Sequence, residues 1–337
     1  MKSLFTISIF ILTLGISFWL YDKNITEKTI SSMSKVPEST AVHNFSDVYN
    51  VLNELKKDEI IMKNYLNENH LTSSKDKVFE AYYSNLKKGC EYFDSVNYSE
   101  EPDDNTVNLW NSKLWEGFSH NYGNSDDSSI HITPIMKRDD YKDYRVERLK
   151  ITYPQVPFIE MIYSGEGYFS SGICYKYLYA NYGKYLSPAL KDYISLRAQQ
   201  DYDLDGTAYY IDASITVSKA TLMKWIIAWQ EYKNKYPNFK SDYIDKALNL
   251  YTGDFLVSYE NSFFETFDFD NNLLPEAKES YEIFLEKVNP KTKEYQIVSK
   301  CYDVLKGNNL KYSDEFKTCV DEWKNKYKGN NDIWLDY

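Results

Sequence analysis

The chain reads as a mainly α-helical protein, a helical bundle or irregular helical array, with a small antiparallel β-sheet near its middle. Three observations point there. Apolar residues recur at helical spacing on both sides of the stretch 128–172. Within that stretch the period shortens to two. Most of the helical stretches are preceded by a start signal, a serine or a proline.

Taken in order, the chain opens on Met1-Lys2 and then runs from Leu4 to Leu20 without a charge, 17 residues in all. Bulky Phe18-Trp19-Leu20 offers no small-residue cleavage site. Residues 1–21 therefore read as an uncleaved signal anchor with the N-terminus inside and the body outside. A secreted chain after signal cleavage is the second choice. Residues 22–43 are polar and read as a linker. The extracytoplasmic body is then 44–337. Ser46 caps a helix through Val48, Val51, Leu52 and Leu55 to about Leu66. A second runs from about Lys75 to Phe93 through Val78, Phe79, Tyr82, Leu86 and Cys90. Ser99 to Asn105 is an acidic loop.

The middle alternates. Leu149, Ile151 and Tyr153 face opposite Arg148, Lys150 and Thr152, and Ile130–Ile132 and Phe158–Tyr163 are further strands. Ser164-Gly165-Glu166-Gly167 reads as the turn before Tyr168-Phe169, so the sheet lies at about 128–172. Ser187-Pro188 then opens a helix to about Gln200. Ser218 caps one carrying Leu222, Trp225, Ile226, Trp229 and Tyr232. Ser241 caps the next, which Gly253 ends. Phe255 to Phe269 is crowded with aromatics and acids and reads as core under a loop, with a groove for a partner peptide or sugar as the alternative. Pro275, Pro290 and Ser313 start three last helices. Cys301 and Cys319 fall on the apolar sides of the last two, which puts them within reach of a disulfide. Cys90 and Cys174 complete the four cysteines, and outside the cytoplasm two disulfides with three pairings are allowed.

Formal net charge is −11, with Lys and Arg scattered. That excludes a basic nucleic-acid surface and suits a basic protein partner or a metal ion. Tyrosine numbers 33; such a count fits either interaction faces or an AT-rich coding bias. The spacing with most chemical meaning is Asp201, Asp203, Asp205, Gly206, Thr207 and Asp212. Acids at positions 1, 3 and 5, a turn glycine at 6, a carbonyl at 7 and an acid at 12 can ligate calcium. Its first six residues resemble the loop of EF-hand and dockerin-like calcium sites. The resemblance implies ligands from Asp201, Asp203, Asp205, Asp212 and the Thr207 carbonyl, with Asp192 too far upstream to take part. The pattern departs at Asp212, shorter than the usual Glu, and at Ala208, where a branched residue is usual. The other reading is a solvated helix-to-helix loop.

Phosphate-binding glycine loops, His-Glu-x-x-His and the Gly-x-Ser-x-Gly elbow are missing from the sequence. The four histidines are His43, His70, His120 and His131. The expected function is thus a membrane-anchored envelope protein acting as a non-enzymatic binding or interaction module, inhibitor- or immunity-like. The alternative is a carboxylate-based hydrolase of envelope polysaccharide with Glu166 as its acid, since two carboxylates need no motif.

Overall fold

A computed structural model describes residues 2–36, 45–97, 157–165, 168–211, 214–257 and 266–326. Ten α-helices and a small antiparallel hairpin near the middle of the chain lie among them. The expected strands at 130–132 and 149–153 lie outside the described residues, as does the acidic loop 99–105. The chain divides into two compact units. The described part of the first holds residues up to 97, 157–161 and 170–195; the second holds 162–165, 168–169 and Leu196 onward.

In the first unit, α1 (Lys2–Ser32), α2 (Phe45–Asn67) and α3 (Thr72–Asn97) pack together. The stripes expected from the sequence form the core: Leu52, Leu55 and Leu66 of α2 meet Val78, Phe79, Tyr82 and Leu86 of α3, all buried. Gly89 permits close approach, because a Cβ there would stand 2.7 Å from a Leu55 methyl. Residues 22–36 do not behave as the linker that their polarity suggests. α1 runs on to Ser32, and Asp22, Thr26, Met33 and Val36 are buried. Each short polar group there has a protein partner, which makes burial affordable. Asp22 accepts from Ser74 Oγ and faces His70 Nδ1 at 2.7 Å. Thr26 shares a 2.6 Å hydrogen bond with Tyr65, and Ser34 donates its backbone N–H to Asp58 at 2.8 Å.

The hairpin pairs β1 (Ile159–Gly165) with β2 (Tyr168–Ile173). Cys174 closes its base, donating its N–H to the Phe158 carbonyl at 2.9 Å. α4 (Tyr175–Tyr182) and a short 3₁₀ turn (Gly183–Tyr185) follow. α5 (Pro188–Leu204) opens as expected, with Leu190 N–H on Ser187 Oγ and proline at its first position. It ends a turn later than expected, at Leu204, where Asp205 and Gly206 both take positive φ.

The second unit is built on α6 (Lys219–Lys235) packed on α7 (Ser241–Leu256). A tiny antiparallel pair, β3 (Tyr210–Ile211) and β4 (Ser214–Ile215), precedes them. α8 (Pro275–Lys287), α9 (Lys293–Gly307) and α10 (Asp314–Lys326) complete it. Ser218 caps α6 through the Thr221 N–H, and Ser313 caps α10 through the Phe316 N–H at 3.2 Å. Three boundaries differ from expectation. α7 starts from Lys240 in the left-handed region, so Ser241 is its first helical residue and not its cap. Gly253 lies inside α7 with the Trp323 ring over it, and the helix continues to Leu256. Thr292, not Pro290, caps α9, its hydroxyl accepting from the Tyr295 N–H. Of the aromatic stretch 255–269, Phe255 stacks on Phe284 and Phe267 packs on Phe316, while Phe269 is exposed and 258–265 lie outside the described residues.

Cys301 of α9 and Cys319 of α10 form the expected disulfide, with Cα atoms 5.7 Å apart. It closes a segment of 18 residues, for which unfolded-chain entropy alone gives about 3 kcal/mol of stabilisation. Urea unfolding of Cys301→Ser/Cys319→Ser is expected to fall short of wild type by that order, and reductant should move the wild type to the same midpoint. Equal midpoints for the oxidised wild type and the double variant would contradict a formed bond.

Candidate functional site

Of the acidic spacing, the described Asp201, Asp203 and Asp205 do not form a group placed to hold a metal ion. Asp201 and Asp203 belong to the last turn of α5, not to a loop. Two residues apart on a helix, their side chains leave it about 200° apart. The Asp203 carboxylate instead accepts from Trp225 Nε1 at 2.7 Å and Gln199 Nε2 at 3.3 Å. Asp205 and Gly206 form the left-handed turn that ends α5, and Thr207 bonds the Leu204 carbonyl through both its N–H and its hydroxyl. The loop geometry therefore serves as a helix stop. Asp212 and Glu166 lie outside the described residues, as do His43, His120 and His131. Among the described residues no group of three or more His, Cys, Asp or Glu is placed to hold a metal ion.

A cluster of polar and aromatic groups lies in the first unit, around Glu59. α2 supplies Glu59 and α4 supplies Tyr177 and Tyr182. Tyr177 donates to Glu59 Oε1 at 2.7 Å, and Tyr182 donates to the same oxygen. The two rings stand nearly perpendicular, 79° apart with centroids separated by 6.0 Å. Phe158 adjoins Tyr177 and Phe79 adjoins Tyr182. Burial, followed by the Glu59 hydrogen bond, pushes the Tyr177 hydroxyl up to about 12 and the Tyr182 hydroxyl higher still. Both stay neutral donors at any physiological pH. Behind them Tyr82 is fully buried, and its hydroxyl has no hydrogen-bond partner. Sequence periodicity pointed to none of this. The legible signal was Tyr175, Tyr177, Tyr179, Tyr182 and Tyr185, five tyrosines within eleven residues.

Glu160, Asp254 and Lys219 are buried with hydrogen-bond partners. Glu160 of β1, also in the first unit, hydrogen-bonds to the Cys174 side chain, with Lys176 near. Burial dominates, and it pushes the Glu160 carboxyl up to about 7. In the second unit Asp254 accepts from Tyr209 at 2.8 Å and from Tyr210. Buried Lys219 donates to the Phe255 carbonyl and lies over the Phe255 and Tyr281 rings.

Comparison of the chain with protein-family models, with curated proteins and with solved structures finds no significant match.

Glu160 makes a pH prediction. Its folded pKa lies above the ordinary value of 4.5, so the folded state holds that proton more tightly than the unfolded chain. Its contribution is fully present below pH 4.5 and is lost as pH rises to about 7. Glu160→Gln keeps the neutral shape and should remove that loss. The variant is expected to match wild type near pH 4.5 and to exceed it by a few kcal/mol at pH 8 in urea unfolding. A stability difference that does not change between the two pH values would contradict it.

Proposed function

We propose that this chain is a membrane-anchored protein of the cell envelope whose body lies outside the cytoplasm and binds a basic protein partner, inhibitor- or immunity-like, without chemistry of its own. The observation that carries the anchoring is the exposed end of the apolar run. Ile16, Trp19, Leu20 and Tyr21 are each about half or more exposed. They sit on α1, in direct continuation of the uncharged residues from Leu4. Trp and Tyr beside Lys23 suit the interfacial belt that flanks a membrane segment. Of Leu4–Leu20, the side chains other than Ile16, Ser17, Trp19 and Leu20 lie outside the described ones. Among the described residues no helix is long and apolar enough to cross a membrane. The disulfide between α9 and α10 supports an oxidising compartment. The formal net charge of −11 supports a basic partner, by steering and by complementarity.

Two readouts test this reading. After fractionation the full chain is expected in the carbonate-resistant membrane pellet, and a chain beginning at Asp22 in the supernatant. N-terminal sequencing should return Met1. A mature chain starting between residues 18 and 30, or a full chain in the soluble fraction, would contradict the anchor.

A further inference from the structure

The contacts of α1 give the first unit a direction. They run in step along α3: Asp22 accepts from Ser74, and the carbonyl of Ser34, just past the helix end, accepts from Asn85. Along α2 they run in reverse, Thr26 meeting Tyr65 and Ser34 meeting Asp58. α1 is therefore parallel to α3 and antiparallel to α2, and the α2–α3 turn stands beside Asp22, which faces His70 of that turn at 2.7 Å. α3 begins at Thr72. Leu20, two residues before Asp22, is only about 3 Å further along the helix axis. Packing on α1 stops at that level, for Ile16, Ser17, Trp19, Leu20 and Tyr21 are all exposed. The uncharged run of 17 residues from Leu4 thus continues past the end of α2 and α3 as helix, for about 25 Å.

The end of the unit at that level has a composition of its own. Leu71 is exposed in the α2–α3 turn. Half-buried Tyr185 donates to Asn67 in the last turn of α2, and Lys75 and Lys184 lie over its ring at 5.6 and 4.8 Å. Lys23 lies over the Trp19 ring at 5.7 Å. Lys23, Lys77 and Lys184 are exposed here against one exposed acid, Glu68, which pairs with His70; Asp22 is buried, and half-buried Asp76 accepts from the Ser187 N–H. We infer that this end of the first unit is a foot that rests in the headgroup layer of the bilayer holding α1. Leu71 and Tyr185 meet the interface, and Lys23, Lys77 and Lys184 reach phospholipid phosphates. Aromatic rings and lysines with long apolar stems are the side chains that suit this layer, and anionic headgroups attract lysine near the surface. One helix carries both the apolar run and the docked residues from Asp22 onward, so the depth of the run fixes the height of the body. This rests on the reading of residues 1–21 as an anchor, and it adds the surface by which the body meets the lipid.

The test uses the full chain reconstituted into vesicles of phosphatidylcholine with about one-fifth phosphatidylglycerol, an anionic share of the kind that attracts lysine. Leu71→Cys and Lys184→Cys place a fluorophore on the foot. Lys88→Cys, exposed and about 25 Å further along α3, places one away from it. Wild type, whose Cys90 and Cys174 are buried, gives the labelling background. The readout is quenching by a nitroxide carried on the phosphatidylcholine headgroup, and circular dichroism reports that each variant keeps its helices. Both foot positions are expected to be quenched about threefold more strongly than Lys88→Cys, given that separation. Vesicle flotation separates the two readings. A full chain that fails to float with the vesicles would overturn the anchor and the foot together. A chain that floats while the foot positions are quenched no more than Lys88→Cys would overturn the foot and leave the anchor standing.

Discussion

A carboxylate removed from water must find donors, and in this protein tyrosine hydroxyls supply many of them. Tyr177 and Tyr182 hold half-buried Glu59, and Tyr209 and Tyr210 hold buried Asp254. The pattern recurs in both units. It has a consequence that a lysine or arginine partner would not have. A neutral donor satisfies the oxygen without cancelling its charge, so the acid keeps its negative field. Tyrosine also brings a large apolar ring, which fills the core around the acid. In the second unit, Asp254 lies where Tyr251 packs edge to face on Tyr209 and Trp225, with Tyr210 against Tyr209. The surplus of tyrosine is therefore structural at these positions, whatever coding bias supplied it.

The same economy explains the N-terminal segment. Residues 22–34 look like linker because Asp, Thr and Ser dominate the useful positions. Yet α1 and the residues just after it dock on α2 and α3 through Asp22, Thr26 and Ser34, which meet Ser74, His70, Tyr65 and Asp58. Asn85 joins this set, donating to the Ser34 carbonyl and to Asp58. A helix attached by polar pairs leaves little hydrophobic trace in its sequence. It also brings the part of α1 from Asp22 onward directly against α2 and α3 instead of holding it apart from them.

Helices were legible where apolar residues repeat, as at Leu222, Trp225, Ile226 and Trp229, and where a serine caps them, as at Ser218 and Ser313. The disulfide was legible because Cys301 and Cys319 fall on the stripes of adjacent helices. Boundaries failed where a local signal was overruled by packing. Gly253 reads as a stop, but Trp323 covers it and the helix continues. The acidic spacing from Asp201 admits two readings for a related reason. A calcium loop and a helix end that stops on Asp205-Gly206 share the same residues, and backbone conformation alone separates them. The cluster of Glu59 with Tyr177 and Tyr182 was not legible, since its members stand more than a hundred positions apart, on α2 and α4. A dense run of tyrosines near residue 180 was the trace that it left.

Asp254 offers the most direct test of tyrosine-held carboxylates, because it is buried and two tyrosine hydroxyls donate to it. Burial raises its pKa, and the hydrogen bonds from Tyr210 and Tyr209 oppose that rise. The measurement is urea unfolding of Tyr209→Phe/Tyr210→Phe against wild type, at pH 4 and at pH 8. Removing the donors should raise the folded pKa further, so the cost grows as the carboxylate is forced to ionise. The account predicts a small loss at pH 4 and one on the order of 3 kcal/mol larger at pH 8. An equal loss at both pH values would mean that the rings act by packing alone, and would contradict it.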